Sequence, residues 1–288
     1  MMHKDKLELI KKAQPNLDIK TAEFIESGFH SLAIIINNEW VFRFPLSPDF
    51  YQEYIQEEKV LNCIHSQVET KVPLLKLHQI GGVMFTQHKM ILGTQYTFAS
   101  SQMNKEEKEE LASELANFLV QMHHSKIDIP IGQTILEEYP CLEKTQRFTE
   151  IFSSEEIKKL QHLLKQYKEY ERNLNPKDIV LCHTDLNENN FIIKNRKLEG
   201  VIDFGNACLC DSSFDFAPLL KHDFALVQRI AAYYEQISGR KVNLEYAEVI
   251  QKLRCYGGIL NNYNDSKRVA RYNRWLKYIE ENEVSSFI

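Results

Sequence analysis

Four residues whose side chains can take part in chemistry lie close together in the stretch LCHTDLNENNFIIKNRKLEGVIDFGN, which runs from Leu181 to Asn206. They are His183, Asp185, Asn190 and Asp203. The amide oxygen of Asn190 and the carboxylate of Asp203 are hard oxygen ligands of the kind that Mg²⁺ prefers. Asp185 can accept a proton from a hydroxyl group or orient it. Phosphoryl transfer requires these residue types, because it depends on divalent metal at the phosphate oxygens and a carboxylate beside the attacking hydroxyl.

Two short apolar runs, FIIK and LEGVIDF, separate Asn190 from Asp203 and flank a turn at residues 195–197. A tight β-hairpin folds its two ends together. We therefore expect Asn190 and Asp203 to meet over a common ion.

The other polar residues of this region have structural interpretations. We expect His183 to order the loop through hydrogen bonds, as neither a metal ligand nor a base. Asp211 is interpreted as the cap of a helix that begins near Ser213, with a catalytic role as the alternative. Asn187 and Glu188 are typical turn formers.

The N-terminal part of the chain alternates helices with hairpins. The pattern predicts a helix from Lys6 to Ala13, a hairpin around Asn37-Asn38, a helix from Gln52 to His65 and a second hairpin around Gly81-Gly82. The apolar stripe of the second helix is predicted to comprise Tyr54, Ile55, Leu61 and Ile64.

Arg43 lies in the second strand of the first predicted hairpin. Side chains alternate between the two faces of a strand, so Arg43 shares a face with Val41 and not with the neighbouring aromatic residues. That face can look into a cleft.

Helices dominate after Gly93. Asn104 and Glu107 form a capping-box pattern at the start of one helix, and a second helix is predicted from Ser154 to Tyr170. Breaks between the later helices are expected at Gly239 and at Gly257-Gly258.

The composition is that of a globular protein. A chain of 288 residues with 43% hydrophobic and 26% charged residues predicts one two-lobed unit or two domains. A formal charge of −5 argues against nucleic acid as a partner, and it is compatible with a cationic ligand.

The cysteines and the termini indicate the compartment. Six scattered cysteines do not form a disulfide framework, and Cys208 and Cys210 are interpreted as packing residues rather than as zinc ligands. The N-terminus lacks the apolar run of a signal peptide, and no run reaches the ~18 apolar residues of a membrane span. We expect a cytoplasmic protein without a membrane partner.

The sequence resembles a known family. HTDLNENN followed by VIDFGN is similar to the phosphotransferase signature of aminoglycoside kinases and their choline-kinase and macrolide-kinase relatives. The segment ESGFHSLAIIINNEWVFRFP is similar to the nucleotide-loop hairpin of aminoglycoside 2″-phosphotransferases, LANFLVQMH resembles their helix after the hinge, and DSSFDFAPLL resembles the segment that closes the site. The resemblance covers about residues 20 to 220.

The resemblance implies an α+β fold of the bilobal protein-kinase-like type. A small N-terminal lobe, residues 1–92, would combine an antiparallel β-sheet with a helix and bind the nucleotide. A larger, mainly helical C-terminal lobe, residues 93–288, would carry the catalytic and substrate-binding residues.

The resemblance also implies roles for individual residues. Asp185 would be the catalytic base or would orient the hydroxyl, and Asn190 and Asp203 would hold Mg²⁺. Arg43 occupies the position that usually carries the phosphate-binding lysine, and Glu58 would be its ion-pair partner.

The nucleotide is expected to contact two further segments. Gly28 is the one glycine of ESGFHSL, so hydroxyl groups of Ser27 or Ser31 would assist in phosphate binding. The adenine or guanine ring would bond to the backbone around His88, Met90 and Ile91.

The implied reaction is Mg²⁺-dependent transfer of the γ-phosphate of ATP or GTP to a hydroxyl of an aminoglycoside antibiotic, by a monomeric enzyme that confers resistance. Macrolides, choline and homoserine are alternative acceptors. Glu235, Glu245 and Glu248 could meet the amino groups of a cationic acceptor, or they could belong to solvated helix faces.

Two other classes of function remain open from the sequence. A metal-dependent hydrolase could use His183, Asp185, Asp203 and Asp211 as ligands, although such sites usually contain more histidines near the carboxylates. A nucleotide-binding protein without turnover is the second alternative, because Arg43 replaces lysine and the phosphate loop is poor in glycine.

Overall fold

The computed structural model describes residues 3–25, 31–144, 148–221 and 223–282. An antiparallel five-stranded sheet with strand order β1-β2-β3-β5-β4 precedes a larger helical part, so the predicted α+β class is confirmed. The strands of this sheet are β1 (Ala22–Ile25), β2 (Ser31–Ile36), β3 (Trp40–Pro45), β4 (Lys76–Ile80) and β5 (Val83–Lys89).

Both predicted hairpins are present in the sheet. Asn37 and Asn38 connect β2 to β3 with φ angles of 56° and 54°, a left-handed conformation that Asn tolerates in two-residue turns. Gly81 and Gly82 connect β4 to β5 with φ angles of 59° and 79°. Strand β4 begins only at Lys76. The apolar run VPLLKLHQI, which starts at Val72, predicts an earlier start.

The two faces of the sheet differ in character. On one face, aromatic residues such as Phe42, Phe44 and Phe85 pack with Ile10 of helix α1 (His3–Ala13). Arg43 lies on the opposite face, as predicted. That face is turned toward helix α2 (Tyr51–Ile64), whose residue Glu57 contacts Arg43.

Helix α2 buries a stripe that differs from the predicted one. Its buried residues are Tyr54, Glu57, Val60, Leu61 and Ile64. Ile55 was included in the predicted stripe, but it is 40% exposed. The buried stripe is therefore centred near Glu57, which changes the identity of the acidic residue that faces the sheet.

The rest of the chain is mainly helical. Its helices are α3 (Tyr96–Ala99), α4 (Lys105–His124), α5 (Ile135–Glu138), α6 (Phe148–Ile151), α7 (Ser154–Arg172), α8 (Ser213–Phe216), α9 (Phe224–Ser238), α10 (Leu244–Asn261) and α11 (Ser266–Glu281). The capping box at Asn104 and Glu107 is confirmed, because each residue accepts the backbone N–H of the other. Gly239 ends α9 with a φ angle of 69°, as expected at a helix C-terminus.

The predicted break at Gly257-Gly258 is wrong. Both glycines lie inside α10. A Cβ atom on Gly257 would lie 2.4 Å from the ring of Tyr139, and one on Gly258 would lie 2.4 Å from the ring of Tyr272. Glycine is present here because two aromatic rings pack directly on the helix backbone, and not because the helix ends.

Two small sheets interrupt the helical part. One is three-stranded, in the order β6-β8-β9, and the other pairs β7 with β10. Their strands are β6 (Thr94–Gln95), β7 (Ile179–Cys182), β8 (Phe191–Lys194), β9 (Lys197–Val201) and β10 (Cys208–Asp211).

A backbone contact joins the loop after α2 to strand β9. Val201 donates its N–H to the carbonyl of Lys71 at 2.9 Å. A Cβ atom on the neighbouring Gly200 would lie 2.7 Å from the same carbonyl, so the close approach requires glycine. The contact ties the N-terminal part of the chain to the hairpin that precedes Asp203.

All six cysteines are free thiols, as their scattered positions predict. Within residues 3–25, 31–144, 148–221 and 223–282, no helix is long and apolar enough to cross a membrane. The division of the chain at residue 92 stays a prediction.

Candidate active site

The β8–β9 hairpin brings the two predicted metal ligands toward each other. Asn195 and Arg196 form its turn with φ angles of 51° and 65°. At the open end, Ile202 donates its N–H to the carbonyl of Asn190 at 3.0 Å. Asp203 follows directly, so the hairpin places it next to the backbone of Asn190, as the sequence predicts.

The loop between β7 and β8 is held by hydrogen bonds around Asp185. Asn187 donates its Nδ2 to Asp185 Oδ1 at 3.0 Å, and Asn190 donates its Nδ2 to the carbonyl of Asp185 at 2.8 Å. The second bond uses the nitrogen of the Asn190 amide, which leaves the amide oxygen to act as a ligand. Asn187 is thus more than a turn former, because it orients the carboxylate of Asp185.

Thr184 has an uncommon backbone conformation beside Asp185. Its φ angle is 66°, which is unfavourable for a β-branched residue. Its N–H donates to Asp215 Oδ1 at 2.6 Å, and its carbonyl accepts from Arg254 Nη1 at 3.0 Å. The other oxygen of Asp215 lies 2.9 Å from His123 Nε2. These three side chains hold the strained residue in place.

No role in this loop was predicted for Asp215, His123 or Arg254. Asp215 was visible in the segment DSSFDF and His123 at the end of α4, but their contact joins residues that are far apart in the chain. A buried acid in an otherwise apolar segment was the available signal, since acids are rarely fully buried unless paired.

His183 has the structural role that was predicted, and Asp211 bonds to the first residue of α8 although Ser212 occupies the N-cap position. His183 is fully buried, and its Nε2 lies 3.0 Å from the carbonyl of Ile202. The N–H of Asp185 donates to its Nδ1 at 3.3 Å, which fits a neutral ring with the proton on Nε2. Asp211 Oδ1 accepts the N–H of Ser213 at 2.8 Å at the start of α8.

Arg43 lies between two carboxylates. Its Nη1 is 2.6 Å from Glu57 Oε1, and its Nη2 is 3.3 Å from Asp203 Oδ1. Burial opposes the positive charge, but the attraction of Glu57 and Asp203 outweighs it and raises the pKa of the Arg43 guanidinium above its ordinary value. Arg43 therefore stays cationic and connects the sheet to the residue predicted to bind metal.

The predicted pairing of Arg43 with Glu58 is wrong, because Glu57 is the partner. Glu58 instead accepts the N–H of Leu77 at 2.9 Å. The resemblance that implied Glu58 does not distinguish between these two neighbouring glutamates. With Ile55 exposed, the buried face of α2 is centred on Glu57.

The side chains of Arg43 and Asp203 remain accessible. The side chain of Asp203 is 52% exposed, and that of Arg43 is 18% exposed. A guanidinium, a carboxylate and an amide oxygen at one place form a donor set that fits phosphate and a hard divalent cation.

The predicted phosphate loop is described only in part. Ser27 and Gly28 lie outside the described residues. Ser31 begins β2, two positions before Ala33, which is the register partner of Arg43. Ser31 is thus on the same face of the sheet as Arg43.

The residues predicted to contact the base line a cavity of about 750 Å³, to which His88, Met90 and Ile91 contribute. Met90 already donates its N–H to the carbonyl of Glu39 at 2.8 Å, so this amide is not free for a ligand. Within the part of the chain that the structure describes, the lining of this cavity does not include Arg43 or Asp203. His88 is nevertheless the register partner of Val41, so it lies on the same face of the sheet as Arg43.

A second cavity, of about 720 Å³, opens beside Asp185. Helices α2, α5, α10 and α11 contribute to its walls. Its charged lining residues are Glu53, Glu138, Asp185, Lys221 and Arg254.

The acids predicted to meet a cationic acceptor lie elsewhere. In the described ranges, the lining of the cavity beside Asp185 does not include Glu235, Glu245 or Glu248. Glu248 pairs with Lys252 at 2.7 Å, and Glu245 accepts a hydrogen bond from Tyr170. Their helix-face interpretation is the one that agrees with these contacts.

The ligand set predicted for a hydrolase does not come together. Among the described residues, the group that could hold a metal is His123, Cys182 and Asp215, whose donor atoms lie within 4.8 Å of one another. Hydrogen bonds to Thr184, Tyr234 and the backbone already use these donor atoms. The group is therefore a structural network beneath the loop of Asp185.

Known proteins resemble this chain over nearly its whole length. The model of the phosphotransferase enzyme family matches residues 21–249. An aminoglycoside phosphotransferase of the 2″ type, solved with GDP and kanamycin, is 20% identical, with 97% of this chain and 99% of that chain covered and a TM-score of 0.82. A macrolide 2′-phosphotransferase from Brachybacterium faecium is 15% identical, with 94% and 98% covered and a TM-score of 0.66.

These solved structures confirm the protein-kinase-like fold that the resemblance of HTDLNENN and VIDFGN implied. A spectinomycin phosphotransferase in complex with ADP and spectinomycin has the same fold, at 14% identity and a TM-score of 0.69, with 98% of this chain and 94% of that chain covered. The chain belongs to the phosphotransferase enzyme family.

Proposed function

We propose that this protein transfers the γ-phosphate of ATP or GTP to a hydroxyl group of a small molecule bound in the cavity beside Asp185. The observation that carries the proposal is the meeting of Arg43 and Asp203 at 3.3 Å, next to the loop of Asp185 and Asn190. A cation, two hard oxygen donors and a carboxylate near a cavity are the groups that phosphoryl transfer uses.

Each of these residues has a separate task in the proposal. Arg43 binds phosphate oxygens with its planar group, and Glu57 fixes the orientation of that group. Asp185 accepts the proton of the acceptor hydroxyl or orients it toward the phosphate. Asn187 holds the carboxylate of Asp185 in the required direction.

Asn190 and Asp203 would hold Mg²⁺. The fit rests on the exposed carboxylate of Asp203 and on the Asn190 amide, whose nitrogen is bonded to the carbonyl of Asp185. A bound Mg²⁺ would neutralise charge on the phosphate oxygens.

The sequence resemblance implies an aminoglycoside as the acceptor, and the relatives with kanamycin and spectinomycin are consistent with a small hydroxyl compound. ATP and GTP are equal candidates for the donor. Kanamycin is therefore one reference acceptor, together with a macrolide and choline.

Calorimetry and a nucleotide-consumption assay test the proposal through two variants. Asp203→Ala is expected to weaken nucleotide binding in the presence of Mg²⁺ and to have much less effect without the metal. Asp185→Ala is expected to leave nucleotide binding within about twofold while turnover falls at least about a hundredfold. Equal Mg²⁺-dependent binding by the wild type and Asp203→Ala would contradict the proposal.

The same measurements address the alternative of nucleotide binding without turnover. That alternative predicts protection against heat by Mg²⁺ and nucleotide, with no consumption of ATP or GTP by any acceptor. The cavity beside the proposed base favours turnover, because a protein that only binds nucleotide does not require it.

A further inference from the structure

Two cationic side chains line the cavity beside Asp185. Lys221 and Arg254 both line it, together with Tyr272 and Trp275. The Lys221 ammonium lies 4.7 Å from the centre of the Trp275 ring. Arg271 lies on the same ring, at 5.6 Å, so Trp275 is in contact with two cations.

No carboxylate of the described residues pairs with the Lys221 ammonium. Among the described residues, none places a carboxylate oxygen within 4.0 Å of its Nζ or forms a hydrogen bond with it, and the aromatic ring is its close contact. Burial lowers the pKa of Lys221, which is consistent with an ammonium that has lost water without gaining an acid. The negative charges of Asp185 and Glu188 act on it through space and oppose the lowering of its pKa.

Arg254 adds to the same charge. Its side chain is 14% exposed, and its guanidinium donates to the carbonyl of Thr184. Glu138 lies 3.6 Å from its Nε and offsets part of this charge. Three acids line the cavity. Glu138 is paired with Arg254, Asp185 is assigned to the acceptor hydroxyl, and Glu53 lies on helix α2.

We propose that the acceptor of this kinase is a hydroxyl compound with an anionic group, a carboxylate or a phosphate, which Lys221 binds while Asp185 faces the hydroxyl. The inference rests on the proposed function and specifies its substrate class. An aminoglycoside carries several ammonium groups, and the Lys221 ammonium, with which no described carboxylate pairs, would repel one placed beside it. An anion removes the unpaired charge of Lys221, because it supplies the missing partner.

The geometry also accounts for the orientation of such an acceptor. Lys221 and Asp185 line one cavity from different segments of the chain. A compound with an anion at one end and a hydroxyl at the other satisfies both groups, whereas the reversed orientation places its anion against a carboxylate. The two charges therefore select one hydroxyl for transfer.

Tryptophan fluorescence measures the charge of the cavity without a known substrate. The chain has two tryptophans, so Trp40→Phe leaves Trp275 as the single reporter. We expect iodide to quench Trp275 at least about twofold more strongly than caesium, although the protein as a whole has a formal charge of −5. Lys221→Met should remove most of this preference and Lys221→Arg should restore it, with acrylamide as the neutral reference.

Lys267→Met is the matched control. Lys267 is an exposed residue on α11, the helix that carries Trp275, and its loss should leave the iodide preference unchanged. Stronger quenching by caesium than by iodide, or an equal effect of Lys267→Met and Lys221→Met, would overturn the inference.

A nucleotide-consumption assay tests the substrate class directly. The probes are glucuronate and gluconate as carboxylates, glucose 1-phosphate as a phosphate, glucose as the neutral match and kanamycin as the polycation. We expect transfer to an anionic probe, with a KM that rises about tenfold in Lys221→Met and recovers in Lys221→Arg. The probe that is phosphorylated most efficiently shows whether the anionic group of the acceptor is a carboxylate or a phosphate.

Efficient transfer to kanamycin, or to glucose as well as to the anions, would contradict the inference but leave the proposed kinase function intact. If no probe is phosphorylated, the quenching experiment alone decides the inference. A preference for iodide that Lys221→Met removes supports it, and the absence of that preference overturns it. Loss of the proposed function itself would appear separately, as nucleotide binding that does not depend on Mg²⁺ or Asp203.

Discussion

Arg43 of strand β3 and Glu57 of helix α2 form an ion pair with an N–O distance of 2.6 Å. The side chain of Glu57 is 2% exposed, so the pair is almost removed from water. Its other carboxylate oxygen is buried and has no hydrogen-bond partner among the described residues. The pair fixes one end of the Arg43 guanidinium and leaves the other end directed at Asp203.

Glu57→Gln is expected to reduce both stability and nucleotide binding. The change leaves Arg43 without its buried counter-charge, which costs about 3 kcal/mol in the free energy of unfolding. Urea unfolding and nucleotide titration measure the two effects. Glu58→Gln is the matched control, since Glu58 only accepts the N–H of Leu77 and a glutamine oxygen can do the same. A larger loss in Glu58→Gln than in Glu57→Gln would refute the assignment.

Asp215→Asn is expected to lower kcat without changing the cavity directly. The variant weakens the bond to the N–H of Thr184 and the contact with His123, which should cost about 1.5–3 kcal/mol in stability. Because Thr184 precedes Asp185, a small displacement should reduce kcat about tenfold to a hundredfold, with little change in nucleotide affinity.

Asp211→Asn serves as the comparison for Asp215→Asn. Asp211 accepts one N–H at the start of α8, and an asparagine oxygen is also a good acceptor at such a position. The two substituted positions are four residues apart. Each variant replaces one carboxylate oxygen with an amide nitrogen. Similar kcat values for both would show that the network beneath Thr184 does not position Asp185.

Gly257→Ala is expected to destabilise the protein, although alanine normally favours a helix interior over glycine by about 1 kcal/mol. The new methyl group would meet the base of the Tyr139 side chain, with atoms from Cβ to Cδ1 between 2.4 and 2.8 Å away, so we expect a net loss of about 2 kcal/mol. Thermal and urea unfolding check the sign. Gly258→Ala should cost less, because its neighbours are atoms at the far end of the Tyr272 ring.

The buried ring of His88 predicts a dependence of stability on pH. Burial lowers the pKa of His88 from 6.5 to about 4. Between these values the unfolded chain binds a proton that the folded protein does not, so the free energy of unfolding rises with pH. This contribution is complete above pH 6.5 and is lost as the pH falls toward 4, for a total of about 3 kcal/mol.

His88→Gln isolates that contribution. The glutamine is neutral at every pH and can still donate to the carbonyl of Lys89, which lies 2.9 Å from His88 Nδ1. The difference in unfolding free energy between the wild type and the variant should therefore shrink or change sign between pH 7 and pH 4.5. A difference that is constant over this range would show that His88 titrates normally.

Local signals in the sequence were sufficient for the elements around the site. The β8–β9 hairpin was predictable because two short apolar runs on either side of a turn permit few backbone arrangements. The same pattern brings Asn190 near Asp203. The alternation of β3 similarly placed Arg43 on the face toward α2.

Long-range contacts were not predictable in the same way. The partners of Thr184 come from α8 and α10, and His123 of α4 in turn contacts Asp215. No local pattern specifies which buried acid will reach which backbone group. Glu58 was assigned through the resemblance, which does not distinguish two neighbouring glutamates, and the burial of Glu57 on α2 shows which of them faces Arg43. The charge of the cavity also depends on Lys221, whose surroundings only the fold reveals.

The hydrogen bond between Val201 and Lys71 restricts how the N-terminal sheet can move. The covalent connection after β5 is one point of attachment, and this backbone contact is another. Further bonds run from Gln56 to the carbonyl of Ala207 and from the N–H of Glu69 to Gln121. Because these attachments are spread over several segments, they resist sliding and rotation of the N-terminal part, and the backbone sets the separation between Arg43 and Asp203.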